Sequence, residues 1–381
     1  MPKNIVICCD GTANEFAVSR TNVIKLYSVL VQDPSRQVSF YHPGIGTMEP
    51  AGALSPFARK FTRLLGMAVG FGLENDIRDA YAFLMQSYDP GDCIFLFGFS
   101  RGAFTVRAMA SLIQMYAMIR KGNEPLIPYA IRMLMGIQRA EKDPQAKAAY
   151  FDLARDFKRT MSSPGPTIRF VGVWDTVSSV GWIDNPLHLP YEANNPSIEI
   201  GRHAVSIDEH RAFFRSHLWQ RPVDPAKPHG PVNLEQVWFP GVHCDVGGGY
   251  CEAESALSKY PLEWMIEEAK AAGLLVDQAR EDEVLGRSGG GSYCAADSNG
   301  CIHDSLTGAW HFAEFVPKRY WDSRSQGWTH GLNLYRRRTI PPGSLVHDSA
   351  FLRGEEYAAR IPPTAVRVTT KRNQPSVPGA C

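Results

Sequence analysis

Six short runs of this chain are nearly continuous in apolar, β-branched and aromatic residues: residues 4–9, 37–41, 93–98, 168–174, 203–207 and 236–242. A strand with one wet face alternates apolar and polar side chains, whereas a run without alternation is buried on both faces. Between the runs lie segments whose apolar residues recur at helical spacing, at 21–31, 73–87, 103–119 and 262–272. Strands that alternate with helices in this way predict an α/β fold, a mostly parallel sheet with helices on both faces. Glu74, Asp76 and Asp79 fall near the start of the second helical segment, where the helix dipole favours anions.

Composition narrows the function classes. The chain is 44% hydrophobic and 21% charged, which excludes a wholly disordered chain. Lys plus Arg total 40 against 39 for Asp plus Glu, and a net charge of +1 argues against nucleic acid as a partner. No apolar stretch reaches the roughly 18 residues of a membrane-spanning helix. The run after Met1-Pro2-Lys3 is too short for a signal-peptide core, so the default expectation is cytoplasmic, with secretion by a signal-less route left open. The eight cysteines form no CxxC pair, and most read as small buried hydrophobes. Cys294 and Cys301 end a Gly/Ser-rich loop, and the sequence leaves a disulfide between them open.

Three stretches interrupt the alternation, at 44–72, 121–166 and 184–199. Insertions in an open α/β sheet commonly build its substrate face. The expected organisation is one domain over 1–365, with cap-like insertions at about 44–72 and 121–166, and a flexible polar tail over 366–381. Apolar residues of the insertions, Leu64 and Leu134 among them, face either a core or an acyl pocket with a membrane surface nearby.

Gly98-Phe99-Ser100-Arg101-Gly102 has the G-x-S-x-G form. The five-residue pattern is short enough to arise by chance. Its setting makes it informative: an apolar run precedes it and a helical segment follows, as a nucleophile elbow requires. Gly98 and Gly102 allow strand and helix to approach closely, and the backbone N–H of Arg101 would face a developing oxyanion. A serine nucleophile needs a base, and the base an orienting acid. His243 lies where the last apolar run breaks into a Gly-rich stretch, His243-Cys244-Asp245-Val246-Gly247-Gly248-Gly249, and it follows the serine in the expected chain order. Two residues are candidates for the acid. Asp175 ends the fourth run and is preferred; Asp208 ends the fifth, and its plainer reading is an ion pair within Asp208-Glu209-His210-Arg211. Asp245 is too near His243 in sequence to reach the far imidazole nitrogen, and reads as a brace for the loop.

Asp10-Gly11-Thr12 ends the first run. A phosphatase with that turn would need an aspartate nucleophile where Cys8 stands. In a hydrolase the turn supplies the second oxyanion N–H, from Gly11 or Thr12, with Asp10 holding it through backbone N–H groups. A lone His243-x-Asp245 is weak evidence for a metal, so no metal and no cofactor are expected.

Several stretches together resemble one family: Cys9-Asp10-Gly11-Thr12, Tyr41-His42-Pro43-Gly44, Gly72-Leu73-Glu74-Asn75-Asp76, Gly98-Phe99-Ser100-Arg101-Gly102-Ala103, Trp174-Asp175-Thr176, Asp208-Glu209-His210-Arg211 and Phe239-Pro240-Gly241-Val242-His243. The chain resembles the α/β-hydrolase family, formerly of unknown function, of bacteria and fungi that includes phospholipase effectors of type VI secretion. The resemblance implies a Ser-Asp-His triad on Ser100, Asp175 and His243. Cys244 departs from it, since a serine is more usual there. The implied activity is a serine ester hydrolase working through an acyl-enzyme on lipid esters. A carboxylesterase acting on small or polymeric esters, and a catalytically silent binding module, are the alternatives. Oligomeric state is not legible.

Overall fold

The computed structural model describes residues 2–11, 19–44, 72–140, 143–177, 181–182, 185–220, 230–289, 291–308, 310–322 and 327–370. Eight strands of these residues form one sheet. They are β1 (Asn4–Cys9), β2 (Gln37–His42), β3 (Cys93–Phe99), β4 (Ile168–Trp174), β5 (Ile198–Ser206), β6 (Asn233–Phe239), β7 (Leu345–His347) and β8 (Val366–Val368). Their spatial order is β8-β7-β6-β5-β4-β3-β1-β2, and every neighbouring pair is parallel. This is an α/β-hydrolase-like architecture. After β1 the chain builds outward to β2, then returns to lay β3 on the other side of β1. The strand order therefore reverses between β1 and β3, where open α/β sheets bind ligands beyond their carboxyl ends.

Both faces are covered, as the unbroken apolar runs require. Ile5, Ile7, Ile94 and Leu96 meet α2 (Leu73–Ser87), α3 (Arg101–Tyr116), α4 (Ile127–Ala140) and α5 (Pro144–Met161). The alternate residues Val6, Cys8, Phe95 and Phe97 meet α1 (Asn22–Val29), α7 (Lys259–Ala271) and α8 (Gln278–Val284). A third cluster, with Ile207, Trp238, Ile340 and Val346, packs the C-terminal segment onto the β5–β6 side.

Three sequence readings meet the structure here, the last of them left open by the sequence. Val366–Val368 is the edge strand β8 rather than the start of a tail. Three residues of an exposed edge carry too little pattern to be read, and β7 was missed for the same brevity. The stretch at 121–166 forms α4 and α5, whose Ile127, Ala130, Ile131 and Leu134 are fully buried in the core shared with α2 and α3. Cys294 and Cys301 are both free thiols. Of the segment at 44–72, residues 45–71 lie outside the described residues, as do 371–381. Among the described residues no helix is long and apolar enough to cross a membrane.

Candidate active site

Parallel register brings the strand ends level. Phe99 at the end of β3 pairs with Trp174 at the end of β4, Trp174 pairs with Ala204 of β5, and Ser206 pairs with Phe239 of β6. Residues just beyond these ends share one edge, and they are Ser100, Asp175 and the segment leading to His243.

Ser100 joins β3 to α3 with φ +58° and ψ −119°, a conformation L-residues avoid. Its N–H donates to Trp174 O at 3.1 Å, and Phe104 N–H donates back to Ser100 O at 3.3 Å. Glycine is required on both sides of the turn. A Cβ on Gly98 would lie 2.5 Å from the Gly102 carbonyl carbon, and one on Gly102 would lie 2.6 Å from Asp10 O. Helix α3 therefore starts against the ends of β1 and β3, with the Arg101 amide in its first turn, where backbone N–H groups lack intrahelical partners.

His243 opens a short helix, α6 (His243–Gly247), rather than ending a strand; β6 stops at Phe239. Asp245 braces it: Val242 N–H donates to Asp245 Oδ2 at 2.9 Å, and His303 Nδ1 lies 2.6 Å from Asp245 Oδ1. Asn22 at the start of α1 donates to Val246 O at 2.9 Å, pinning α6 to the helical layer. The imidazole packs between Phe99, with ring centroids 4.6 Å apart, and the edge of Phe214 at 4.8 Å. Its Nδ1 lies 2.6 Å from Asp175 Oδ2. Its Nε2 is buried without a hydrogen-bond partner among the described residues. Burial lowers the imidazole pKa against the upward pull of Asp175.

Asp175 is fully buried, with φ +40°. Burial alone would raise its carboxyl, but the Arg338 guanidinium and His243 outweigh burial and hold it well below the usual carboxylate range. Ser206 N–H donates to Oδ1 at 2.9 Å, and Arg338 grips both oxygens, with Nη1 at 2.5 Å from Oδ1 and Nη2 at 3.1 Å from Oδ2. Asp208 is committed elsewhere. It accepts from Tyr357 Oη at 2.5 Å, Arg360 Nη2 at 2.7 Å and Gly241 N–H at 2.8 Å. Within Asp208-Glu209-His210-Arg211 the ion pair is that of Glu209, 2.9 Å from Arg211, while Asp208 pairs outside the segment with Arg360. Glu209 also accepts from the His243 N–H at 3.2 Å.

The turn after β1 has a different arrangement from the one expected. Asp10 Oδ1 accepts the Gly11 N–H at 2.7 Å, while Oδ2 accepts from Thr21 Oγ1 at 2.5 Å and Tyr41 Oη at 2.9 Å. Asp10 thus ties the turn to α1 and β2. The Gly11 amide, which the sequence put forward as an oxyanion donor, is engaged by that carboxylate. Thr12 lies outside the described residues. Beside the turn, burial pushes the Asp76 carboxyl up to about 7 against the pull of Arg101, and His42 Nε2 lies 3.5 Å from Asp76 Oδ1.

One sheet edge thus carries a buried imidazole held by an ionised carboxylate and a serine on a strained strand-to-helix turn. A family model described as "T6SS, Phospholipase effector Tle1-like, catalytic domain" matches residues 3–268. The chain belongs to that family. An uncharacterized protein of Saccharomyces cerevisiae, YEL023C, is 37% identical over 223 residues, which are 56% of this chain and 32% of the yeast protein. A crystal structure of an uncharacterized protein from Pseudomonas aeruginosa is 20% identical, covering 73% of this chain and 47% of that one, with a TM-score of 0.42. The structure of the Tle1 effector bound to the VgrG spike of the type VI secretion system is 19% identical, covering 67% of this chain and 52% of that one, with a TM-score of 0.33. The chain thus spans about a third of the yeast relative and about half of each solved chain.

Sequence reasoning missed Arg338, Glu209 and the two rings around His243. Arg338 is 163 residues from Asp175 and sits in Arg336-Arg337-Arg338, a run that reads as surface charge. No local signal sets its third member apart.

Proposed function

We propose that the chain is a serine ester hydrolase in which Ser100 attacks, His243 accepts the serine proton and Asp175 orients the imidazole. The observation that carries the reading is the 2.6 Å contact of His243 Nδ1 with the buried Asp175 carboxylate, on the sheet edge where Ser100 holds its strained turn. In this reading the Nδ1 proton lies on the Asp175 side and Nε2 carries the accepting lone pair, which that contact supports. Ser100 Oγ adds to the ester carbonyl as its proton passes to Nε2, and the N–H of Arg101 faces the resulting oxyanion. Collapse expels the alcohol, which takes the proton from His243 and leaves an acyl-serine. Water activated by the same imidazole then releases the acid. Family membership supports a phospholipid ester as the substrate class.

A fluorophosphonate probe tests the assignment without a known substrate. The wild-type chain should label stoichiometrically and Ser100→Ala not at all, with hydrolysis by the variant lower by on the order of 10³-fold or more. Labelling that persists in Ser100→Ala removes the nucleophile. Phosphatidylglycerol vesicles and p-nitrophenyl acetate, assayed side by side, separate lipid from small esters; hydrolysis of the acetate alone points to a small-ester carboxylesterase.

A further inference from the structure

Arg338 has no role in a standard Ser-His-Asp mechanism, yet its side chain is only 4% exposed. Besides gripping both Asp175 oxygens, Nη1 donates to Ser206 Oγ at 2.7 Å and to Ser206 O at 3.1 Å, while Nη2 and Nε donate to Phe214 O. The Asp175 carboxylate thus receives two donors on each oxygen: Ser206 N–H and Arg338 on Oδ1, His243 and Arg338 on Oδ2. Bidentate pairing of this kind fixes a carboxylate in its plane.

The loop that delivers Arg338 is itself held rigidly. Leu334 and Tyr335 have φ of +48° and +60°. Buried Glu314 accepts the Tyr335 N–H at 2.8 Å and the Ala212 N–H at 2.7 Å, and Asn333 donates to Glu314 at 2.6 Å and to His210 O at 2.7 Å. Non-glycine residues keep such a conformation only where the surroundings over-determine it.

We propose that Arg338 is a positioning residue: it locks the Asp175 carboxylate against His243 and, by matching its charge, keeps the imidazole neutral and proton-accepting to lower pH than an isolated Asp–His pair would. The inference rests on the serine-hydrolase reading of the site. Arg338 acts on the pair through the Asp175 carboxylate, whereas Arg211 disfavours the imidazolium directly and Glu209 favours it. Glu209 and Arg211 form an ion pair at 2.9 Å and largely cancel. His203 on β5 is kept neutral by burial, its pKa lowered to about 3. The Cys244 thiol is kept protonated by burial, pushed up to about 12. Phe99 and Phe214 flank the ring and keep out water that would solvate an imidazolium.

The sign follows. A neighbouring cation disfavours imidazolium, so removing it raises the His243 pKa, and the neutral base is then lost at higher pH. The experiment is the fluorophosphonate labelling rate from about pH 4 to about pH 9, for wild type, Arg338→Met and Arg338→Lys. Arg338→Met should raise the acid midpoint by about one pH unit, an approximately tenfold loss at pH values below both midpoints. Arg338→Lys keeps the charge and loses the fork, so it should lower the plateau with a midpoint near wild type. NMR titration of the His243 ring protons, assigned with His243→Gln, should move in parallel. A folded Arg338→Met with an unshifted midpoint overturns the proposal, even if its plateau falls. So does an Arg338→Lys midpoint displaced by a full unit, which tests the charge should Arg338→Met fail to fold. Failure of the serine reading looks different: wild type does not label, or Ser100→Ala does. The His243 titration then tests Arg338 independently.

Discussion

Replacing Gly102 by alanine sets two effects of opposite sign against each other. Gly102 is the second residue of α3, and alanine is favoured over glycine in a helix by about 0.8–1.0 kcal/mol. The added methyl, however, would sit 2.5 Å from the Cys9 carbonyl carbon and 2.6 Å from Asp10 O. Ordinary contacts are about 3.5–4.0 Å, so α3 must retreat from β1 by about 1 Å. The obstacle is strand backbone, which cannot swing aside as a side chain would. Overpacking of this kind costs about 1–3 kcal/mol, which exceeds the propensity gain at all but its lower end. The same retreat displaces Ser100 and the Arg101 amide, and a 1 Å displacement of reacting groups costs about 10²-fold in rate. Gly136 in α4 is the control, because a Cβ there meets nothing within 4 Å. Urea midpoints and fluorophosphonate labelling rates are measured for both variants. Gly136→Ala should gain about 0.5–1 kcal/mol with unchanged labelling, whereas Gly102→Ala should lose stability and label about 100-fold more slowly. A Gly102→Ala chain as stable and reactive as wild type would refute the close-approach argument.

The two candidate acids separate cleanly. Asp175→Asn should slow labelling by about 10²–10⁴-fold. Asp208→Asn should label within a few-fold of wild type but lose about 1–3 kcal/mol in urea, because Tyr357 and Arg360 lose a charged partner. Leu134→Asp should destabilise by at least about 3 kcal/mol and reduce hydrolysis of short- and long-chain esters alike, since Leu134 is fully buried in the helical layer; a loss confined to long chains would mean that it lines an acyl pocket. Asp76, raised by burial to about 7, holds a proton in the folded chain that the unfolded chain releases near its reference pKa of about 3.9. Its contribution to stability is full below about pH 4 and is lost as pH rises through about 7, so Asp76→Asn should remove that downward slope from a plot of urea midpoint against pH.

The sequence by itself determined the long buried strands and the turn that carries Ser100. Asn4–Cys9 and Ile168–Trp174 were legible to the residue because a strand buried on both faces has no polar position to blur its ends. Ser100 was legible because its glycines must lie at fixed offsets, so the elbow is written in five consecutive residues. The choice between Asp175 and Asp208 was not local. Both follow buried strands, and only the three-dimensional partners tell them apart: His243 for one, Tyr357 and Arg360 for the other. Arg338 was invisible for the same reason, since its charge pairs with a carboxylate 163 residues away and nothing near it in sequence records that. The short helix under His243 was misread as a loop because Gly247, Gly248 and Gly249 signal a turn, whereas the Asp245 carboxylate, the Asn22 amide and the Phe99 ring hold that segment helical. Sequence pattern fixes which residues are buried, because burial follows hydropathy along the chain. Which charge meets which depends on strand order and register, and these exist only once the sheet has formed.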